Sequence, residues 1–341
     1  MFIMASVKKR TEIALKLCTA SDKTDKEYRG QIVKVAKALL KMDNVLIFSH
    51  RSSDGDTLGC AFALCRGMRS IGKKANVICA DVIPEKYSFM HAGMEQQAFE
   101  PQHYVTVDIA TPHLMGNLAE EYEKKIEVCI DHHMSNSFEA PVKLVDAKAA
   151  AAAEVIWLLL NAMDARMDKE TASCLFAAIS TDTGCFKYSN VTPRTHLIAV
   201  ELMKYDVDCA GINFKLIDEV SQAQLELKKQ ALSHLEYCCG NRCAIVTVTA
   251  EMIERTGASP EDLDGISNIP RSIAGVECGI TMREIQDGWK ISVRSSEKVN
   301  ASELCGKFGG GGHKAAAGCK FSESYEDAKR KLIEAAGEYL G

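Results

Sequence analysis

Short apolar runs alternate with segments of helical periodicity through the first half of the chain. Residues 25–42 carry apolar side chains at the three- and four-residue spacing that is typical of an amphipathic helix. The runs of strand length are 45–48, 75–80, 104–107 and 126–130, and the helical segments between them are 57–70 and 114–124. This alternation predicts an α/β fold whose N-terminal domain has an open parallel sheet flanked by helices on both faces.

The pattern changes after residue 148. Helical spacing dominates to about residue 235, and strand-like alternation then returns, with a polar turn at Asp287 and Gly288 joining two of the runs. The predicted helices are 149–163, 168–180, 192–204, 222–237 and 325–339, and the predicted strands are 243–248, 278–282 and 289–293. These elements predict a first domain over residues 1–215, a connecting helix over 216–235 and a smaller α/β domain over 236–341.

Composition and the lengths of the apolar segments indicate the cellular compartment of the protein. Hydrophobic residues make up 47% of the 341 residues and charged residues 26%, as in ordinary globular proteins. The longest apolar stretch, residues 149–160, is interrupted by Glu154 and is shorter than the ~18 residues of a membrane helix. Lys8 and Lys9 interrupt the N-terminal segment, which argues against a secretory signal. Most of the 14 cysteines lie in apolar runs, which favours free thiols, so we predict a cytoplasmic protein with no membrane partner.

The charge balance restricts the class of ligand. Lysine and arginine number 41 against 46 aspartates and glutamates, which gives a formal net charge of -5. Binding to long duplex nucleic acid depends on the number of phosphates that a protein neutralises, so an acidic chain is a poor candidate for it. A short phosphorylated ligand in a local pocket remains compatible with this balance.

Side chains that ligate metal ions follow three predicted strands and one predicted helix. They are His50, Asp54, Asp56, Asp108, Asp131, His132, His133 and Asp182. Because the carboxyl ends of parallel strands meet at one edge of a sheet, we expect these residues to converge there. Crowded carboxylates need cations to offset their repulsion. Mixed aspartate and histidine ligands suit Mn²⁺, and six or seven ligands suit a pair of ions about 3.5–4 Å apart.

Taken one at a time, these residues also have structural interpretations. Asp56 precedes Thr57 and is suited to cap a helix, and Asp182 lies in a sequence typical of a turn. An isolated histidine such as His50 is more often a hydrogen-bonded core or surface residue than a ligand. The metal-centre hypothesis therefore depends on the four groups occurring together at the ends of elements.

A glycine-rich segment stands out in the second half of the chain. Its residues are Gly309, Gly310, Gly311, Gly312 and His313, and a small-residue segment that we expect to be helical follows. Glycines allow a close approach of the backbone to a ligand, so exposed N–H groups and His313 are suited to hold phosphate oxygens. Arg294, at the end of a predicted strand, offers a guanidinium fork to the same ligand. A flexible linker and a solvated surface arginine are the alternatives.

Together these motifs resemble the DHH phosphoesterase superfamily, in particular its nanoRNase and pAp-phosphatase branch. The matching parts are the HxxxDGDxxG segment at 50–59, Asp108, the Asp-His-His triplet at 131–133, Asp182, Arg294 and the glycine segment at 309–318. The resemblance implies two Mn²⁺ ions, one bound by His50, Asp54 and Asp108 and the other by Asp56, Asp108, His132 and Asp182.

The resemblance also implies roles for the remaining residues. Asp131 would orient the neighbouring histidine, and His133 would face the scissile phosphate. Arg294 and residues 309–313 would grip the terminal nucleotide or phosphate from the other side of a cleft between the two domains, where the active site is expected.

The implied activity is metal-dependent hydrolysis of short oligoribonucleotides to mononucleotides and of pAp to AMP. Cleavage of cyclic dinucleotides or of pApA is the main alternative. A manganese inorganic pyrophosphatase is disfavoured by the glycine segment, and a nucleotide sensor without turnover is disfavoured by the complete ligand set. The implied partners are short RNA oligonucleotides or small nucleotides, and the oligomeric state stays open, a dimer included.

Overall fold

The computed structural model describes residues 23–263 and 265–341. The predicted absence of a secretory signal concerns residues that lie outside these ranges. The chain divides into two compact units, one ending at Glu219 and the other formed by Val220–Gly341. Within the described ranges, no helix has both the length and the apolar character needed to cross a membrane.

The first unit is built on a five-stranded parallel sheet with the strand order β2-β1-β3-β4-β5. Its strands are β1 (Val45–Phe48), β2 (Ala75–Ile78), β3 (His103–Val107), β4 (Val128–Asp131) and β5 (Val142–Val145). Its α-helices are α1 (Lys23–Lys41), α2 (Gly55–Ser70), α3 (Ser88–His91), α4 (Ala119–Tyr122), α5 (Ala152–Ala162), α6 (Lys169–Asp182), α7 (Pro193–Met203) and α8 (Cys209–Asn213). The predicted α/β class with a parallel sheet flanked by helices is confirmed.

The strands of this sheet are apolar on both sides because both faces are covered. Val45 and Ile47 belong to the large core that includes side chains of α1, α2, α5 and α6. Leu46 and Phe48 point the other way, into a smaller core with Met115. Side chains alternate between the faces of a strand, so a continuous apolar run is what a doubly covered parallel strand requires.

The second unit contains a six-stranded mixed sheet with the order β10-β11-β9-β8-β7-β6. Its strands are β6 (Glu236–Cys238), β7 (Cys243–Val248), β8 (Cys278–Ile285), β9 (Gly288–Ser295), β10 (Gly311–His313) and β11 (Ala316–Phe321). Its α-helices are α9 (Gln222–Ser233), α10 (Ala250–Thr256), α11 (Ala301–Gly306) and α12 (Tyr325–Leu340). Strands β7 and β8 pair in parallel, and the other neighbouring pairs are antiparallel.

The two faces of this second sheet have different surroundings. Ile280 and Ile291 contribute to a core that also contains Leu332 of α12. On the opposite face, Leu227 of α9 packs with Val246. Helix α9 lies within the segment predicted as a connecting helix, and its buried side chains belong to the core of the second unit.

Three local predictions are wrong. The predicted helix 114–124 is broken into 3₁₀ turns and the short α4, because Gly116 has a positive φ of 61°. The predicted helix 222–237 ends at Ser233, and the chain then forms β6. The small-residue segment after His313 is strand β11, which pairs with β9 and β10. Its buried residues alternate, as the pairing of a half-covered strand requires.

Candidate metal centre and second-unit residues

Three neighbouring strands bring the predicted ligands to one edge of the parallel sheet. His50 lies two residues after the end of β1, Asp108 follows β3 directly, and Asp131 is the last residue of β4. Asp54 caps helix α2, where its Oδ1 accepts hydrogen bonds from the backbone N–H groups of Asp56 and Thr57, each at 3.1 Å. The cap fixes the Asp54 carboxylate at the start of α2, and the capping Oδ1 is also the oxygen that lies near His50.

The first group of ligand atoms surrounds His50. Its Nε2 lies 3.5 Å from Oδ1 of Asp54 and 3.7 Å from Oδ2 of Asp108. These distances are too long for good hydrogen bonds and allow one cation to contact all three side chains.

The second group surrounds His132. Its Nε2 lies 3.7 Å from Oδ2 of Asp56, 3.4 Å from Oδ2 of Asp182 and 3.6 Å from Oδ1 of Asp108. Asp182 reaches this group as the last residue of α6. Asp108 therefore presents one carboxylate oxygen to each group, which is the arrangement of a bridging ligand.

Asp108 provides the clearest test of whether a cation fits. The residue is 2% exposed, and its Oδ1 has no hydrogen-bond donor among the described residues. Burial, followed by the charge of Asp56, raises the pKa of Asp108 well above its usual range. Its backbone has a positive φ of 56°, which is uncommon for a residue with a side chain. A bound cation would satisfy the unpartnered oxygen and relieve the repulsion, so the residues fit a metal.

The same crowding affects two neighbouring carboxylates. Burial, followed by the charge of Asp54, raises the pKa of Asp56 to about 7. Burial, followed by the charge of Asp56, raises the pKa of Asp182 to about 7. Asp56 is nevertheless held in place by the first N–H groups of α5, from Ala152 at 2.6 Å and Ala153 at 3.1 Å. The positive end of that helix compensates part of the cost of burying a carboxylate.

The two histidines of the triplet have different partners. His132 places Nδ1 3.2 Å from the carbonyl oxygen of Ala149, to which it can donate, and this leaves Nε2 facing the ligand group. His133 places Nδ1 2.8 Å from Oδ1 of Asp131. The hydrogen bond to Asp131 raises the pKa of His133. Asn136 donates to the other oxygen of Asp131 at 2.5 Å, so this carboxylate is fixed on both sides.

A buried charge network behind the centre was missed by the sequence analysis. Glu154 of α5 is fully buried, and its carboxylate accepts hydrogen bonds from Arg194 Nε at 2.5 Å and from Thr195 Oγ1 at 2.6 Å. Arg194 Nη1 also lies 2.8 Å from Asp146 Oδ2. The only signal in the sequence was a glutamate inside an apolar helical run. The network fixes the beginning of α5, whose N–H groups hold Asp56.

Asn190 links the metal centre to the segment that leads into helix α5. Its Nδ2 donates to the carbonyl oxygens of Ala150, at 2.9 Å, and of Asp182, at 3.0 Å. One amide group thus ties the end of α6, which carries a candidate ligand, to the segment just before α5. Nothing in the sequence pattern distinguished this asparagine from an ordinary loop residue.

In the second unit, the register of the strands places Arg294 and His313 on the same face of the sheet, on either side of Ala316. Both residues pair directly with Ala316, from the two sides of β11. Arg294 Nε donates to Asn268 Oδ1 at 3.2 Å, and His313 is exposed. The predicted phosphate-binding pair is thus brought together on one face of the sheet.

The glycines of the segment have a structural reason of their own. Gly309 and Gly312 have positive φ angles of 72° and 149°. A Cβ at Gly310 would lie 2.2 Å from the carbonyl oxygen of Gly318 in the neighbouring strand. Close backbone approach within the hairpin of β10 and β11 therefore requires glycine whether or not a ligand binds.

Comparison with known proteins identifies the two units. Residues 44–179 match the DHH family, N-terminal domain, and residues 241–341 match the DHHA1 domain. The chain is a DHH–DHHA1 protein. The resemblance predicted from the motifs is thereby confirmed.

Similar proteins cover nearly the whole chain. The bifunctional oligoribonuclease and PAP phosphatase NrnA of Thermus thermophilus is 29% identical over 315 residues, which are 90% of this DHH–DHHA1 chain and 93% of that protein. The crystal structure of an exopolyphosphatase-related protein from Bacteroides fragilis has a TM-score of 0.83 at 25% identity and covers 92% of this chain and 97% of its own. Exonuclease RecJ bound to manganese shares the fold, with a TM-score of 0.54 at 15% identity over 90% of this chain and 94% of its own.

Proposed function

We propose that this protein is a metal-dependent phosphoesterase that hydrolyses short oligoribonucleotides to mononucleotides and pAp to AMP. The proposal rests on one main observation. The two groups of ligand side chains share one buried carboxylate, that of Asp108, at the edge of the parallel sheet. The name of the relative from Thermus thermophilus, which combines both activities, supports this substrate class.

Two Mn²⁺ ions are the metals that we propose. His50, Asp54 and Asp108 would hold one ion, and Asp56, Asp108, His132 and Asp182 would hold the other. Mixed nitrogen and oxygen donors suit Mn²⁺, and the manganese named for RecJ supports the choice. When bound, such a pair polarises the phosphate and supplies a nucleophile from water near neutral pH.

The protein's own residues would perform the positioning. Asp56 stays fixed by the N–H groups at the start of α5, and His132 is oriented by the carbonyl oxygen of Ala149. The hydrogen bond between His133 and Asp131 favours a protonated imidazole, which is suited to donate to a phosphate oxygen or to the leaving group. Arg294 and His313 of the second unit would bind the terminal nucleotide or phosphate.

A direct test compares hydrolysis of a labelled ribopentanucleotide, pAp and cyclic di-AMP, each with Mn²⁺ and with EDTA. We expect the first two to be cleaved with Mn²⁺ alone and Asp108→Asn to be inactive. Preferential cleavage of the cyclic dinucleotide would instead assign the protein to the turnover of signalling nucleotides. Hydrolysis that persists in EDTA or in Asp108→Asn would refute the metal mechanism.

Inorganic pyrophosphate serves as a fourth substrate in the same assay. Rapid release of phosphate from it would favour the pyrophosphatase alternative, and tight nucleotide binding without any product would favour a sensor.

The cytoplasm remains the location predicted from the sequence.

A further inference from the structure

One face of the second sheet concentrates cations within a chain of net negative charge. Residues that pair directly across neighbouring strands point to the same face, so the register defines cross-strand rows. The first row contains His313, Ala316, Arg294 and Gly279, and a second row, four residues away along β9, contains Lys320, Lys290 and Arg283. We call Lys320, Lys290 and Arg283 the distal cation row.

The distal cation row places like charges directly opposite one another. Lys290 pairs in register with Lys320 on one side and with Arg283 on the other. Among the described residues, none of the three forms an ion pair with an acidic side chain. Like charges in directly paired positions destabilise a sheet, and a bound anion would remove this cost.

A buried hydroxyl group points to the same ligand. Thr281, which pairs with Ser292 between the two rows, is 6% exposed, and its Oγ1 has no hydrogen-bond partner among the described residues. Thr281 and Ser292 line a pocket of about 440 Å³ together with Arg283, Lys290 and Arg294. The described residues that line this pocket include no carboxylate. An unpartnered buried hydroxyl next to three cations is suited to bind an anion.

We propose that the distal cation row and Thr281 bind a second phosphate of the substrate, beyond the phosphate or nucleotide bound by Arg294 and His313. The distal cation row lies four residues from Arg294 along β9, a span of about 13 Å, and Thr281 lies midway between them. A phosphate held by the row is therefore farther from Arg294 than two phosphates of one nucleoside are from each other. The second unit therefore favours oligonucleotides over pAp. This inference relies on the proposed function for the class of substrate.

The test measures binding without turnover. The probe is a fluorescein-labelled ribotetranucleotide, and its anisotropy is followed in EDTA with unlabelled pAp as a competitor. For the double variant Arg283→Ala/Lys290→Ala, we expect the tetranucleotide Kd to rise about 10-fold or more. The slope of log Kd against log salt concentration falls by about 0.7 for each phosphate that the variant no longer neutralises. The affinity for pAp changes less than twofold.

Three further variants serve as controls. Lys331→Ala removes a cation of α12 that pairs with Glu323 outside this face, and it should leave both affinities unchanged. The swap Arg283→Lys/Lys290→Arg keeps the charges and should restore most of the binding. Thr281→Val removes only the unpartnered hydroxyl, so it should weaken tetranucleotide binding without loss of thermal stability.

Each outcome separates this inference from the proposed function. Wild-type tetranucleotide affinity in the double variant, or an equal loss of pAp affinity, overturns the distal phosphate site. If the double variant fails to fold, Thr281→Val decides, and unchanged tetranucleotide binding there overturns the site as well. If the wild-type protein hydrolyses none of the substrates while the variants still lose tetranucleotide binding selectively, the proposed function fails and the binding site stands.

Discussion

Replacing Arg194 by methionine tests how much its ion pairs with Glu154 and Asp146 stabilise the unit that carries the metal centre. The guanidinium lies between two buried carboxylates, 2.5 Å from Glu154 and 2.8 Å from Asp146. Glu154 is fully buried and Asp146 is 9% exposed, so Arg194→Met leaves two buried negative charges without their cation. Removing one partner of a buried ion pair costs about 3–5 kcal/mol, and we expect a loss of this size in the free energy of unfolding.

The chain contains a matched control at its surface. Arg330 of α12 also bridges two carboxylates, those of Asp327 and Glu334, at 3.3 Å each. Its side chain is 57% exposed, so water and salt screen both pairs. We expect Arg330→Met to leave the free energy of unfolding close to that of the unmodified protein.

The two tryptophans make the measurement specific for each unit. Trp157 lies in α5 and is 4% exposed, and Trp289 lies in β9 of the second unit. Urea unfolding of the metal-free protein is followed by Trp157 fluorescence in a Trp289→Phe background for Arg194→Met. A Trp157→Phe background, which retains Trp289 as its only tryptophan, reports on the Arg330→Met control.

A second-site change tests the stated cause of the destabilisation. In the Arg194→Met protein, Glu154→Gln removes one uncompensated charge and keeps an oxygen that accepts from Thr195, so it should recover part of the lost stability. A loss of stability in Arg194→Met no larger than that in the surface control would refute the reasoning. So would a double variant that is no more stable than Arg194→Met alone.

Three further predictions concern the centre itself. Burial and then the charge of Asp54 raise the pKa of Asp56 to about 7, so its contribution to stability is present below pH ~4 and lost as the pH rises through 7. Differential scanning fluorimetry of the metal-free protein should therefore show a Tm that falls as the pH rises over this window. The fall should be less steep in Asp56→Asn than in the unmodified protein, and Mn²⁺ should raise the Tm of the unmodified protein at pH 7. Asp131→Asn replaces the carboxylate that accepts from His133 by a neutral amide, a weaker acceptor without charge, so the pKa of His133 should fall and the alkaline limb of the kcat/KM profile should move to lower pH. An unmoved limb would exclude His133 as its source. In calorimetric titrations with Mn²⁺, Asp108→Asn should weaken both binding events and Asp54→Asn only one, whereas equal effects would argue against a shared ligand.

The metal-ligand cluster was predictable because its position depends on local sequence. A ligand that directly follows a buried parallel strand must lie at the carboxyl edge of the sheet, and Asp108 and Asp131 meet that condition. The contacts of their individual atoms were not predictable. The pairing of Asp131 with His133, and of His132 with the carbonyl oxygen of Ala149, depends on side-chain rotamers and on a loop from another part of the chain.

The buried network shows where local patterns stop being informative. Glu154 and Arg194 are forty positions apart, and each by itself resembles an ordinary charged residue at a helix start. The full burial of Glu154, and the position of the largely covered Arg194 side chain beside it, become visible only after α5 and α7 pack together. Strand β11, in contrast, carried a usable signal, because its buried residues Ala317, Cys319 and Phe321 alternate. The content of small residues obscured this period of two.

The distal cation row extends the same argument to substrate choice. Lys320, Lys290 and Arg283 are far apart in sequence or separated by a turn, and only strand register aligns them. A one-residue shift of β11 would move Lys320 to the opposite face and remove it from the row. Motifs at strand ends can therefore predict the hydrolytic chemistry, whereas the number of phosphates that the protein recognises depends on the register of a sheet that those motifs do not specify.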